Sequence, residues 1–242
     1  MRRVLAAAFS LFALSAFSFA GDAAAFSDIG FSADGKTYIF GEYGKTDRSF
    51  QAYAEIYVVD VAKNDFVSGG VFKTNPSSST TGISGRKAYD ALLSRSGSSI
   101  RNYRCTPAAP ENMLYIRNAS GGKIVKPEAG SSTDRIVFQD FERSTDDTDI
   151  FFRIQMKQTV KGKGTNVSSS YYIDMRMEDQ DGKLLGSWKV GNPQYERKGV
   201  SSYEIEKIFT DPSGQSIVFL IQKTVEDENG TSIRYMVETV RM

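Results

Sequence analysis

The sequence predicts a mainly β protein of antiparallel meanders, propeller-blade-like or sandwich-like, with one short helix. Three observations carry that expectation. Apolar runs rich in β-branched and aromatic residues recur from Phe31 to the C-terminus, separated by turn chemistry such as Asp34-Gly35, Asp181-Gly182 and Asn229-Gly230. Within SSYYIDMRM, Tyr171, Ile173, Met175 and Met177 share one face while Tyr172, Asp174 and Arg176 share the other, a period of two. Only one stretch has helical spacing, and the lack of long helical periods elsewhere excludes a wound α/β fold.

The first 20 residues have the three parts of a secretory signal: Arg2 and Arg3, an apolar region from Val4 to Phe19, and small Ser18 and Ala20 before a cut. A second cut is possible after Ala25, because Ala23 and Ala25 also meet the small-residue rule. The expectation is a signal peptide over 1–20 and a single exported β-rich domain over 21–242, periplasmic or extracellular. It carries no lipid-attachment cysteine and no membrane span after signal removal. The chain has 30 basic and 29 acidic residues; losing Arg2 and Arg3 leaves a net charge of −1. Such a balance argues against a nucleic-acid or membrane-surface binder. A single cysteine forbids an intramolecular disulfide, so stability rests on packing.

Residues 21–30 are small and polar and read as a leader. Asp34-Gly35 forms a turn, since glycine takes positive φ freely and aspartate bonds to its own backbone. The strand Tyr38–Phe40 follows, then a polar connection GEYGKTDRSFQA, then a strand through Ile56–Val59. FVSGGVF adds another strand, weakened or bulged at Gly69-Gly70, which completes a meander over 31–72. KTNPSSSTTG is a Ser-rich loop. The helix comes next, within 75–100 and centred on 84–96, where Ala88, Tyr89, Leu92 and Leu93 lie three and four apart behind Ser84. It ends near Gly97 or frays through Arg101 before Cys105-Thr-Pro. Residues 112–242 read as a largely antiparallel assembly: MLYIRN, a Ser-Gly-Gly turn, DRIVFQDF, DIFFRIQMKQTV, SSYYIDMRM, KLLGSWKV, QSIVFLIQ and SIRYMVETV.

Aligned on Gly35 and Gly214, GKTYIF and GQSIVF use one device twice. The Phe-Ser-x-Asp-Gly-Lys opening and the later Ile56-Tyr57-Val58-Val59-Asp60 strand resemble a blade of TolB-type β-propellers. A strand buried on both faces between blades reads as a continuous apolar run, as Ile56–Val59 does. A fuller resemblance runs over nearly the whole mature chain. The order of signal, GFSADGKTYIFGEYG, loop, YAEIYVVDVAKNDFV, Ser-rich break, helix and strand-rich half is similar to the predicted secreted bacterial proteins of the domain of unknown function 2259 family. That resemblance implies secretion and brings no activity and no catalytic residues.

The chain contains no histidine, which removes Ser-His-Asp and Cys-His systems and imidazole-ligated zinc. Cys105 follows Arg101 and Arg104, whose charge would favour thiolate, but an inert thiol is the preferred reading. Ser84 and Lys87 have the Ser-x-x-Lys spacing of penicillin-recognising enzymes, but Ser84 also stands where a helix N-cap belongs, and the cap is the preferred reading. Asp146, Asp147 and Asp149 have the ligand type calcium needs, though a solvated loop is the simpler account. Glu178–Gly182 and Asp227–Gly230 look partly like EF-hand loops, yet the position of the bidentate glutamate holds Trp188 or Met236, so both read as hairpin turns. Glu42, Asp47, Glu55 and Asp60 are acids from which a glycosidase-like carboxylate pair could be drawn. Asn118, Asn166 and Asn229 fit glycosylation sequons.

The residues therefore commit to no catalytic, cofactor-binding or metal site and to no cofactor. The favoured function is a non-enzymatic binding or interaction domain with an unknown protein or envelope partner. The alternative is a carboxylate-dependent hydrolase acting on a cell-envelope glycan.

Overall fold

A computed structural model describes residues 22–117, 133–228 and 230–242 of the chain. In chain order the strands are β1 (Ala25–Phe31), β2 (Thr37–Lys45), β3 (Ala52–Asp60) and β4 (Asp65–Thr74), then helix α1 (Gly85–Arg101) and β5 (Met113–Ile116). They continue with β6 (Thr133–Gln139), β7 (Ile150–Lys161), β8 (Ser168–Asp179), β9 (Leu184–Val190) and β10 (Arg197–Lys198). The last are β11 (Val200–Thr210), β12 (Ser216–Asp227) and β13 (Gly230–Arg241). Strands make up 57% of the described residues, so the fold is mainly β with a single α-helix among them. No helix there is long and apolar enough to cross a membrane.

The strands form three open antiparallel sheets. Sheet 1 runs β1-β2-β3-β4; sheet 2 runs β6-β7-β8, with β9 and β10 both on the far edge of β8; sheet 3 runs β13-β12-β11-β5. Sheet 3 is the middle layer. On β12, Ile217, Phe219 and Ile221 join Phe152, Ile154, Tyr171 and Ile173 of sheet 2, while Val218 and Leu220 join Tyr38, Phe40 and Val59 of sheet 1. The opposite face of sheet 1, with Ile39, Ala54, Ile56 and Val58, is covered by Ala88, Tyr89, Leu92 and Ile100 of α1. The layers stack as helix, sheet 1, sheet 3, sheet 2. Burying one such side chain fully contributes about 1.5–3 kcal/mol, which is why these faces pair rather than face water.

This stacking corrects the propeller resemblance, since the sheets do not close around a channel. The continuous run Ile56–Val59 is indeed covered on both faces, but by a helix on one side and a sheet on the other. Both arrangements need the same apolar pattern, so the run alone does not distinguish them.

Three boundaries also move. The polar segment 21–30 contains β1, an edge strand whose register with β2 shifts between Asp28 and Gly30. The polar connection after Phe40 shrinks to residues 46–51, because Gly41–Lys45 continue β2. Gly41 is there for contact: a Cβ would lie 2.5 Å from the Tyr89 ring. The helix runs to Arg101, since Ile100 extends the stripe onto sheet 1. At its start Ser84 Oγ accepts the Lys87 N–H at 3.1 Å, an N-cap.

The repeated turn device is a structural repeat. In the first copy Ser32 N–H reaches Thr37 O and Gly35 N–H reaches Ser32 O; in the second Asp211 N–H reaches Ser216 O and Gly214 N–H reaches Asp211 O. Both glycines have φ 66°. The two turns touch, Ser216 Oγ donating to Gly35 O at 2.8 Å. The Ser-Gly-Gly turn and Asn229 lie outside the described residues.

Candidate ligand groove

A concavity of about 940 Å³ opens where the three sheets meet. Sheet 1 supplies Tyr57, the β3–β4 turn and Lys73; sheet 2 supplies Lys189 and the β9–β10 connection with Tyr195 and Arg197; sheet 3 supplies β13 from Tyr235 to Arg241, together with Lys223. The lining holds six cationic side chains, Lys63, Lys73, Lys189, Arg197, Lys223 and Arg241, against two carboxylates, Asp65 and Glu238.

A polar node at Glu238 ties the walls of the groove together. This buried carboxylate accepts the Tyr171 hydroxyl at 2.6 Å and the Asn64 amide, and Arg197 Nη2 lies 3.7 Å away. Asn64, in the β3–β4 turn at φ 52°, also accepts the Thr239 N–H at 2.6 Å, which ties sheet 1 to β13. The Arg197 guanidinium sits over three tyrosine rings, 4.7 Å from Tyr195, 5.0 Å from Tyr171 and 5.8 Å from Tyr203. Its Nη1 is buried without a hydrogen-bond partner among the described residues, so ring faces hold that side of the cation while Glu238 faces the other. Burial, reinforced by the Glu238 charge, pushes the Tyr171 hydroxyl well above the ordinary phenol range.

The remaining cations differ in how far they are neutralised. Lys63 pairs with Asp60 and Lys73 with Glu55, both at 3.0 Å. Lys189 lies 4.8 Å from the Tyr172 ring, and Arg241 donates to Asp34 O and Ser216 Oγ. Lys223, half-buried, has neither a hydrogen bond nor a carboxylate within ion-pair distance among the described residues. Burial draws its pKa down, and the fields of Glu42 and Glu55 oppose that.

Lys223 also lines a second cleft of about 250 Å³ with Glu42, Tyr53, Glu55 and Arg234. Here β2 and β3 bring two of the four candidate acids together, Glu42 directly opposite Glu55. Glu42 is 2% exposed and accepts the Tyr235 N–H at 2.7 Å; burial raises its pKa, against the nearby Lys223 charge. Glu55 accepts from the Tyr57 hydroxyl and from Lys73. Arg234 closes the far side, 2.6 Å from Asp22 and stacked 4.4 Å from the Tyr53 ring, whose hydroxyl donates to Asp22 at 3.1 Å. Asp47 sits in the β2–β3 loop and Asp60 pairs with Lys63, so neither joins them.

Other candidate residues resolve into local roles. Burial, reinforced by Asp34 and Asp28, pushes the Cys105 thiol up to about 11, so its state is set by burial and these carboxylates and not by Arg101 or Arg104, in keeping with an inert thiol. Asp149 accepts from Gln139 at 2.8 Å and Asp147 O from Gln180 at 3.2 Å, which fastens that loop to the β8–β9 turn. Asp179 Oδ1 accepts the N–H groups of Asp181 and Lys183, as a hairpin turn requires. Sequence reasoning missed Lys223, Arg197, Tyr195 and Glu238. The available signal was Lys223 itself, a cation two residues beyond the apolar run Ile217–Ile221.

No curated protein and no solved structure matches the chain. A family model described as predicted secreted protein, DUF2259, matches residues 39–241, which takes in β2 from its third residue and every strand from β3 to β13, and its description agrees with the export expected from the N-terminal sequence. The chain thus belongs to the DUF2259 family of predicted secreted proteins, and it is an exported protein.

Proposed function

We propose that this exported protein is a binding protein whose groove between the three sheets receives an anionic partner. The observation that carries the reading is the lining of six cations against two carboxylates, with Lys223 at the sheet 3 wall lacking an ion pair among the described residues. A concave surface with an excess of one sign focuses its field and raises the local concentration of opposite charge, even where net charge is near zero. Binding also fits a site held by packed side chains and the Glu238 node, which has little to reorganise when filled. The test is affinity electrophoresis of the mature chain through gels holding polyaspartate, polygalacturonate or polyphosphate. At least one polyanion should retard it, and Lys189→Gln with Lys223→Gln should abolish that retardation. Equal retardation of wild type and double variant, or none for either, would sink the reading.

The same proposal takes residues 21–242 as one domain released by a cut after Ala20. Asp22 and Ala24 support this: Ile233 N–H donates to Asp22 O, Ala24 N–H to Ile233 O, and the Asp22 carboxylate holds Arg234 and Tyr53. A cut after Ala25 discards all of these bonds.

Carboxylate hydrolysis is a second reading, favoured by Glu42, with its raised pKa, lying opposite Glu55. Its test is release of reducing ends from envelope glycans; activity lost in both Glu42→Gln and Glu55→Gln would support it, and no activity in wild type would refute it.

A further inference from the structure

We infer that the groove takes an acidic glycan, a chain of sugar rings bearing carboxylates, with Lys223 as the anchoring cation and Phe66 and Tyr195 as ring platforms on two of its walls. This rests on the anion-binding reading above and adds the chemical class of the occupant.

The first step is the elimination of a peptide strand. β13 is the edge of sheet 3 and runs through the groove, so an extended acidic peptide is the obvious rival, adding itself as another strand. Strand addition needs the outward N–H groups of the edge, which fall on alternate residues. Three of them are taken: Ile233 N–H by Asp22 O, Tyr235 N–H by the Glu42 carboxylate, and Thr239 N–H by the Asn64 amide oxygen. Within the groove the outward N–H groups of Val237 and Arg241 remain, but the occupied Thr239 separates them, so no two adjacent rungs are open to an added strand. Recognition in the groove must therefore go through side chains.

The side chains available are rings and cations. Phe66 and Tyr195 are 49% and 59% exposed, unusual for residues lining a concavity. Each is braced from behind: Phe66 is stacked on Tyr57 at 5.0 Å, and Tyr195 on the Arg197 guanidinium at 4.7 Å. A ring fixed on one face and open on the other offers apolar contact to the C–H face of a sugar at little entropic cost. The two belong to different sheets, Phe66 to β4 and Tyr195 to the β9–β10 connection, so a ligand touching both spans the groove. Its volume, about 940 Å³, is at the upper end for small-molecule pockets and suits several linked rings. Lys223, half-buried and without an ion pair among the described residues, then meets a carboxylate from the ligand in place of one from the protein, and Lys189, on the opposite wall, likewise has no ion pair among those residues.

The experiment is calorimetric titration of the mature chain at about 150 mM salt with hexamers of galacturonate and of mannuronate, with neutral maltohexaose, and with polyglutamate of matched charge. Uronate hexamers should bind and maltohexaose should not. Lys223→Met should weaken uronate binding at least tenfold and Lys223→Arg should restore it. Phe66→Ala and Tyr195→Ala should each weaken it severalfold, with far-ultraviolet circular dichroism unchanged in all variants. If polyglutamate binds more tightly than either hexamer, or the two ring variants bind uronates as wild type does, the glycan inference is overturned while the anionic groove stands. If no anionic probe binds, or Lys223→Met is indifferent to all of them, both readings fall together.

Discussion

The paired turns provide a built-in control for backbone strain. Gly35 and Gly214 share φ 66° and equivalent places in their hairpins, so substitution by alanine imposes the same left-handed penalty at each, about 1–2 kcal/mol. Their surroundings differ. A Cβ on Gly214 would meet its nearest neighbours, the Glu142 and Arg143 side chains, at 3.5 Å and beyond, which is ordinary contact. One on Gly35 would lie 2.5 Å from Asp211 Oδ2 and 3.1 Å from Ser216 Oγ. Asp211 is buried and anchors its own turn, accepting from Ser213 Oγ at 2.5 Å and Ser216 N–H at 2.7 Å. Moving that carboxylate weakens at least one charge-assisted bond at a cost of about 1.5–3 kcal/mol. Gly35→Ala should therefore destabilise by about 3–5 kcal/mol and Gly214→Ala by about 1–2 kcal/mol. In urea the difference of about 2 kcal/mol separates the two midpoints by roughly 1 M, with unchanged slopes. Coincident midpoints would refute the argument that the turns are packed against each other. Asp34→Asn should leave the midpoint in place, because an amide oxygen still accepts Ser32 Oγ and Lys36 N–H.

Further outcomes follow from the buried charges. Glu42 has a folded pKa raised above its ordinary value of 4.5 by burial, so between those two values the folded state holds more protons than the unfolded one and wild-type stability falls as pH rises. The stability of Glu42→Gln relative to wild type should rise through that window, measured by urea unfolding from pH 4 to 7; a flat difference would overturn it. Asp22→Ala leaves Arg234 without its carboxylate and should cost about 3 kcal/mol, and a chain beginning at Phe26 should lose at least as much. Mass spectrometry of the exported protein should accordingly find Gly21 at its N-terminus, and a start at Phe26 would refute the maturation proposal. Cys105, with its thiol pushed up to about 11, should be alkylated at pH 8 far more slowly in the folded chain than in urea; equal rates would contradict that environment.

What the sequence determined by itself was the local part. The Asp34-Gly35 and Ser213-Gly214 turns, the alternation along β8, the Ser84 cap and the stripe Ala88, Tyr89, Leu92 each rest on energies exchanged within a few residues, so spacing alone revealed them. It also excluded histidine chemistry outright and pointed to export. Where a residue's reason lay in a distant layer, the same rules misread it. Glu42 and Gly41 have loop chemistry, yet they lie within β2 because a carboxylate was needed for the Tyr235 N–H and a bare backbone for the Tyr89 ring. The apolar run Ile56–Val59 reported that both faces were covered and not by what. The groove belongs wholly to the tertiary structure. Asn64 meets Thr239, Arg197 meets Glu238, and Lys223 faces Glu42 only once sheet 3 has been laid between the other two. That order of layers is decided by shape and burial summed over whole faces, and no single stretch of chain contains it.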